Sequence, residues 1–198
     1  MPERLETERL VLRPFAEDDA EAAFRWFGDP EVMRFIPTGA DQSVEETRRR
    51  LARYREHQAR HGFSKWIVRE RTSGEAVGDS GLLRLEEPER VDLGFRFARP
   101  WWGRGFATEA ARAWVHAAFA DFGLDRLTAF AHPANVPSLK VLEKVGFRRT
   151  GHAEVMGMDA FTYILIAGGE RSSIRASVPS RADRRGGMSS GTDLLHRS

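Results

Sequence analysis

Two glycines, Gly103 and Gly105, join an extended segment of the chain to a long helical pattern. Charged and apolar residues alternate through residues 91–99, and apolar residues recur at helical spacing through residues 107–122. Glycine lets the backbone turn tightly and leaves nothing over the first turn of the helix. That turn has unpaired N–H groups at the positive end of the helix dipole. The junction therefore predicts an anion site, with a phosphate-bearing ligand as the candidate.

Two common phosphate loops do not fit this junction. A P-loop ends in Gly-Lys-Ser/Thr, whereas Phe-Ala-Thr follows Gly105. A Rossmann fingerprint needs a third small residue where Thr108 stands, and a buried parallel strand before the loop. The charges that interrupt residues 91–99 do not suit such a strand. One alternative stays open, that the glycines form a strand-to-helix turn and nothing more.

The junction resembles the acyl-CoA loop of the GNAT superfamily of N-acetyltransferases. That family has Gln/Arg-x-x-Gly-x-Gly/Ala between a strand and a helix, and residues 102–107 read Trp-Gly-Arg-Gly-Phe-Ala. The wider stretch WWGRGFATEA is similar to the RimJ/RimL-type branch. Arg104 either adds positive charge here or is simply solvated. The resemblance implies that acetyl-CoA is the co-substrate, with its pyrophosphate on the N–H groups of Gly103, Arg104, Gly105, Ala107 and Thr108.

A second block, residues 135–147, resembles the family's Asn-x-x-Ser-x-x-x-x-x-Lys-x-Gly-Phe. Local physics also explains it, because Asn135 suits a helix N-cap, Pro137 the first turn and Gly146 a C-cap. Both blocks in the family's order favour the functional interpretation. By resemblance, Asn135 binds the pantetheine arm of the cofactor, and the likeness extends over residues 5–167.

The element pattern and the resemblance predict an α+β fold. We expect a GNAT-like, mostly antiparallel sheet of about seven strands, with a central parallel pair splayed apart and about four flanking helices. Strands are predicted over residues 9–14, 63–71, 76–85, 91–98, 127–131, 147–153 and 159–166, and helices over 18–27, 43–61, 107–122 and from 135.

Composition favours one domain, residues 1–167, since 198 residues with 41% hydrophobic content can bury a sizeable core. No apolar run approaches a membrane span, no signal segment is visible, and a cytoplasmic location is expected. The absence of cysteine excludes disulfides and thiolate chemistry, and the six histidines lack metal-ligand spacing, so no metal is predicted. A net charge of +2 makes no strong case for nucleic acid.

The last segment, residues 168–198, is rich in Gly, Ser and Arg and is predicted to be a disordered tail. It is either a dispensable extension or a basic docking arm. A homodimer is also left open.

Acetyl transfer needs a neutral amine, a donor to the oxyanion and a proton for the CoA thiolate. The resemblance implies that the splayed strands hold pantetheine against the backbone of Leu93, Phe95 and Phe97. We expect a backbone N–H near Phe97 to be the oxyanion donor, and Ser138 to be the acid. Many family members have a tyrosine a few residues beyond this serine, where this chain has Leu142. Tyr163 is a weaker substitute, more typical of a core position.

The candidate base is Asp92, which begins the active-site strand and could relay a proton through water. Glu31 and Asp79 are weaker candidates, each readily explained as an ordinary carboxylate. His132 follows the strand over residues 127–131 and is a further candidate, but a solvated or capping role suits it better. Proximity and desolvation can also deliver a neutral amine without a strong base.

The acceptor amine is either a protein N-terminal α-amine, as in ribosomal proteins, or a small-molecule amine. We expect the first helices and the last hairpin to line its pocket, although each residue suits an ordinary core equally well. The candidates are Trp26, Phe27, Met33, Phe35, Met156 and Met158. Two other functions stay open, a catalytically weak acyl-CoA sensor and a ribosome-docking protein that uses its arginine-rich tail.

Overall fold

Alternating apolar residues along the strand segments build one eight-stranded sheet in the computed structural model, which describes residues 2–86 and 89–168. Most of the predicted tail, residues 169–198, lies outside the described residues. The strands are β1 (Leu5–Glu6), β2 (Leu10–Pro14), β3 (Lys65–Glu70), β4 (Ala76–Glu86), β5 (Glu89–Phe97), β6 (Arg126–Ala131), β7 (Arg148–Val155) and β8 (Met158–Ile166). The α-helices are α1 (Ala20–Phe27), α2 (Pro30–Met33), α3 (Val44–His61), α4 (Phe106–Ala120) and α5 (Val136–Val145).

The strand order is β1-β2-β3-β4-β5-β6-β8-β7, and every neighbouring pair is antiparallel except β5 and β6. The predicted α+β class, with a mostly antiparallel sheet and one parallel pair, is confirmed. The structure adds β1 and α2 to the predicted elements. Two residues are too few for β1 to show a period, and α2 is a single turn that begins at Pro30 beside the Asp29 cap.

Each face of the sheet packs against helices and forms its own core. One face buries Leu12, Trp66 and Leu127 with the helix α4. Alanines along α4 let this helix lie close to the strands, and Trp114 packs edge-on against Trp66, with ring centroids 4.8 Å apart. The opposite face packs against α1 and α3. The sheet is thereby packed on both faces, with α4 over β4, β5 and β6.

Polar side chains cap the starts of two helices. The Ser43 side chain accepts from the Glu46 N–H at the start of α3, and Asn135 accepts from the Ser138 N–H at the start of α5. Within the part of the chain that the structure describes, no helix combines the length and apolar character needed to cross a membrane.

Candidate active site

The parallel strands β5 and β6 meet at one registered pair, Asp92 and Thr128. The Thr128 hydroxyl donates to the Val91 carbonyl at 3.2 Å and also contacts the Asp92 carboxylate. Both strands continue beyond this point, β5 to Phe97 and β6 to Ala131, without a further registered pair between them. The splayed pair expected from the sequence is therefore present, closed at Asp92–Thr128 and open toward the carboxyl ends of both strands.

The backbone of β5 presents hydrogen-bonding groups to this gap. The Ala98 N–H donates to the Val77 carbonyl at 2.9 Å, and β4–β5 register is unbroken along its length. Because bonded residues alternate in an antiparallel ladder, even-numbered residues of β5 bond to β4. The N–H and C=O groups of Leu93, Phe95 and Phe97 consequently point toward the gap. The Phe97 carbonyl accepts from the Trp102 indole N–H at 2.6 Å, a contact that sequence reasoning missed.

A glycine loop lies at the open end of the gap. A 3-10 turn over Arg99–Trp101 follows β5, and α4 then begins directly after Gly105. Gly103 and Gly105 have φ values of 75° and 81°, in the left-handed region that side chains disfavour. No side chain caps the start of α4. Its first N–H groups, those of Phe106, Ala107 and Thr108, therefore lack partners within the helix and can face an anion.

Glu109 anchors this loop to the β1–β2 turn at the far edge of the sheet. Its carboxylate accepts from the Thr7 hydroxyl at 2.5 Å, from the Arg9 N–H at 2.9 Å and from Arg9 Nε at 2.7 Å. Arg9 Nη1 donates to the Arg104 carbonyl at 3.0 Å. Burial alone would raise the pKa of Glu109, but the bonds from Thr7 and Arg9 outweigh it and hold this pKa below its ordinary value. Sequence reasoning missed these contacts because they join residues about a hundred positions apart.

A shallow groove of about 740 Å³ runs from this loop along the outer side of α4. Cationic side chains line its walls, together with three glutamates near the β1–β2 turn. Its cationic and titratable residues are Arg9, Arg112, His116 and Lys144, and its glutamates are Glu6, Glu8 and Glu109.

The second sequence block forms α5, on the β6 side of the gap. Asn135 uses its side-chain carbonyl to cap α5 through the Ser138 N–H at 3.3 Å, so its NH₂ group is the part that can donate to a ligand. Ser138 is half-buried in the first helical turn. Leu142 is in the core, where it supplies no acid. Tyr163 is also a core residue, and burial, together with Glu143, raises the pKa of its phenol.

The candidate bases differ in what already binds them. Asp79 is fully buried and accepts from Trp26 Nε1 at 2.9 Å and from Arg96 Nη2 at 2.5 Å. It therefore forms a structural ion pair with Arg96. Glu31 is exposed on α2. Asp92 alone of the three lies at the gap, where Arg90 Nε is 3.2 Å from its carboxylate.

The expected acceptor pocket needs correction at three positions. Trp26, Phe27 and Met33 are at most 1% exposed, because they fill the core between α1, α3 and the sheet. Phe35 is half-buried and stacks on His132 with ring centroids 4.9 Å apart, which places it beside the end of β6. Met156 and Met158 lie at the β7–β8 turn, where Met156 is 61% exposed.

A small cavity of about 180 Å³ opens beside Asp92, on β6, β7 and β8. Its lining mixes hydroxyl and apolar side chains, including Thr128, Phe130, Thr150 and Thr162. None of the six residues expected to line the acceptor pocket lines this cavity.

A family model described as an acetyltransferase (GNAT) domain matches residues 9–148. The chain therefore belongs to the GNAT family of acetyltransferases. An uncharacterized N-acetyltransferase of Bacillus subtilis strain 168, YoaA, is 31% identical over 149 residues, which are 74% of this chain and 84% of the relative. The crystal structure of a GNAT-family acetyltransferase from Bacillus anthracis is 27% identical, with a TM-score of 0.73. That match covers 82% of this chain and 98% of the solved chain.

Two further solved structures share the fold at low identity. A ribosomal-protein-S5-alanine acetyltransferase from Vibrio fischeri is 19% identical, with a TM-score of 0.69, over 85% of this chain and 99% of that chain. The aminoglycoside acetyltransferase AAC(6')-Ib, in complex with coenzyme A, is 18% identical, with a TM-score of 0.68, over 80% and 95% of the two chains. At this identity the likeness shows the fold alone.

Asp79→Ala tests whether this carboxylate is structural. The change leaves the guanidinium of Arg96 buried without its partner, so we expect the free energy of unfolding to fall by about 3–5 kcal/mol. Denaturant unfolding followed by circular dichroism measures the change. Glu31→Ala, which removes an exposed carboxylate, is the control and should leave stability unchanged. An unchanged stability for Asp79→Ala would contradict the assignment.

Proposed function

We propose that the chain transfers the acetyl group of acetyl-CoA to a primary amine, which attacks directly in a ternary complex. The observation that supports this most is the single parallel register pair, Asp92–Thr128, at the closed end of a gap that leads to the glycine loop. An edge of outward backbone groups suits the amide-bearing pantetheine arm, which can pair with it as an added strand. The uncapped start of α4 suits the pyrophosphate.

The proposed cofactor position uses three parts of the structure. Pantetheine lies in the gap against Leu93, Phe95 and Phe97, and Asn135 donates to it from the β6 side. The loop amides of residues 103–108 bind the pyrophosphate, with Arg104 adding charge. Arg112 and Lys144 in the neighbouring groove attract the phosphorylated ribose.

The proposed chemistry forms a C–N bond and breaks the C–S bond of the thioester. The amine nitrogen attacks the carbonyl carbon, and the oxyanion accepts from one of the outward N–H groups of β5, with Phe97 as the candidate from the sequence. The departing thiolate takes a proton from Ser138, which solvent replaces. Asp92 lies beside the gap, where its carboxylate can attract and orient the ammonium of the acceptor and pass its proton on through water.

The acceptor is a protein N-terminal α-amine or a small-molecule amine. The Vibrio fischeri neighbour is named for a ribosomal protein, in keeping with the RimJ/RimL-like wording of the sequence, and another neighbour is named for aminoglycosides. A catalytically weak acyl-CoA sensor is the second candidate function. It is favoured by Leu142, which stands in the core where many family members have a tyrosine.

Gly105→Glu tests the loop assignment. The substitution places a carboxylate at the N-terminus of α4, where it would occupy the anion site, so we expect acetyl-CoA affinity to fall by at least about 100-fold. Titration calorimetry with acetyl-CoA measures the change. Gly123→Glu is the matched control, because Gly123 is another exposed glycine with a positive φ of 63°, in the loop after α4. Retained affinity in Gly105→Glu would sink the loop assignment.

Ser138→Ala tests the acid. We expect kcat to fall by about 100-fold, the scale of a lost general acid, while the Kd for acetyl-CoA stays unchanged. Steady-state release of free thiol measures kcat, and calorimetry measures the Kd. An unchanged kcat would remove Ser138 from the reaction and leave solvent as the proton source.

A further inference from the structure

A buried lysine crosses the sheet toward the gap. Lys65 begins β3 and is in register with Gly81 of β4, which is in register with Gly94 of β5. Since neither glycine has a side chain, the lysine can lie over β4 and reach β5. Its ammonium nitrogen, Nζ, is 2.8 Å from the Gly81 carbonyl, and a Cβ built on Gly94 would lie 2.5 Å from it. The nitrogen therefore occupies the space that a side chain at position 94 would fill.

This position borders the proposed reaction site. Gly94 lies between Leu93 and Phe95, whose backbone groups face the gap, and it is two residues from Asp92 at the closed end. Lys65 is 6% exposed, whereas Gly94 is half-buried, so the strand beside the nitrogen keeps some solvent-accessible surface. An amine that enters the gap from this face would meet Nζ and the Asp92 carboxylate together.

Burial is the main reason that the pKa of this lysine lies near neutral pH. Burial, and then the like charge of Arg96, lower the pKa of Lys65 to about 7, against the opposite effects of Asp79 and Asp92. Asp79 is already bonded to Arg96 and to Trp26 of α1. From α3, the Tyr54 hydroxyl accepts from Arg96 at 3.1 Å. A large share of Lys65 is therefore uncharged at neutral pH and able to accept a proton.

We propose that Lys65 is the general base of the acetyl transfer, taking one proton from the acceptor ammonium that Asp92 attracts. This inference rests on the proposed function. The ammonium gives one proton to Nζ, and the neutral amine then forms the C–N bond. As the C–S bond breaks, the nitrogen loses a second proton to solvent. The thiolate gains one proton from Ser138, which solvent replaces, so these two transfers cancel. Lys65 finally returns its proton to solvent, so the net reaction releases one proton.

Nuclear magnetic resonance reads the protonation of Lys65 without any turnover. The chain has only three lysines, Lys65, Lys140 and Lys144, so labelling lysine Cε with carbon-13 gives three signals. Lys65→Arg removes and thereby assigns one of them. We expect this signal to titrate near pH 7. A Lys65 signal that titrates near 10 would overturn the proposal.

Activity supplies the second test, with acetyl-CoA and an alanyl tripeptide or kanamycin as acceptor probes. Lys65→Met keeps the length of the side chain and Lys65→Arg keeps the charge, but neither accepts a proton. We expect kcat/KM at pH 7 to fall by about 100-fold in both, with an unchanged Kd for acetyl-CoA. The wild-type rate should level off above pH 7, whereas the Lys65→Met rate should keep rising until the acceptor amine itself deprotonates.

Different results would overturn the role of Lys65 and the proposed function. If the wild type acetylates an amine and Lys65→Met has the same rates and pH profile, the role of Lys65 is overturned. The proposed function then stays intact. Acetyl-CoA binding without turnover of any amine by the wild type would overturn both, in favour of a sensor.

Discussion

The site depends on the point where two parallel strands stop pairing. β5 and β6 are joined in register at Asp92 and Thr128 and then diverge, although both belong to one sheet. Antiparallel pairing on the other side, β4 with β5 and β6 with β8, keeps each strand straight where its partner is missing. Backbone groups that are costly to bury unpaired are thus held in place, facing a gap that a ligand can fill.

Four ionisable groups lie close together on the central strands β3, β4 and β5. Arg96 and Asp79 form an ion pair, and the Lys65 ammonium and then Asp92 follow it toward the closed end of the gap. Burying four ionisable groups costs stability that an apolar face would not, unless each has a partner. Asp79 and Arg96 satisfy one another. Lys65 instead rests on a single carbonyl bond and an altered pKa, which is typical of groups that work chemically.

The sequence predicts the fold and the loop well, for identifiable reasons. Gly103 and Gly105 adopt the positive φ that their pattern implies, and residues 91–98 and 127–131 form the parallel pair. The short elements β1 and α2 are not predicted, because a two-residue strand and a single helical turn are too short to show a period of apolar residues. Three of the acceptor candidates are wrong for another reason. Apolar side chains fit a core and a pocket equally, and Trp26, Phe27 and Met33 are buried in the core. The position of Lys65 did leave a signal in the sequence, because a lone glycine within a strand, here Gly94, often marks the close approach of another group. Only the pairing of β3, β4 and β5 identifies that group as Lys65.

Amide hydrogen exchange with and without acetyl-CoA shows whether the open edge of β5 binds the cofactor. If pantetheine pairs with β5 beyond the Asp92–Thr128 pair, the amides of Phe95 and Phe97 should exchange more slowly in the complex, together with those of Ala107 and Thr108 at the start of α4. The even-numbered amides of β5, already bonded to β4, should change less. Slower exchange confined to other parts of the molecule, or none at all with saturating acetyl-CoA, would contradict the account.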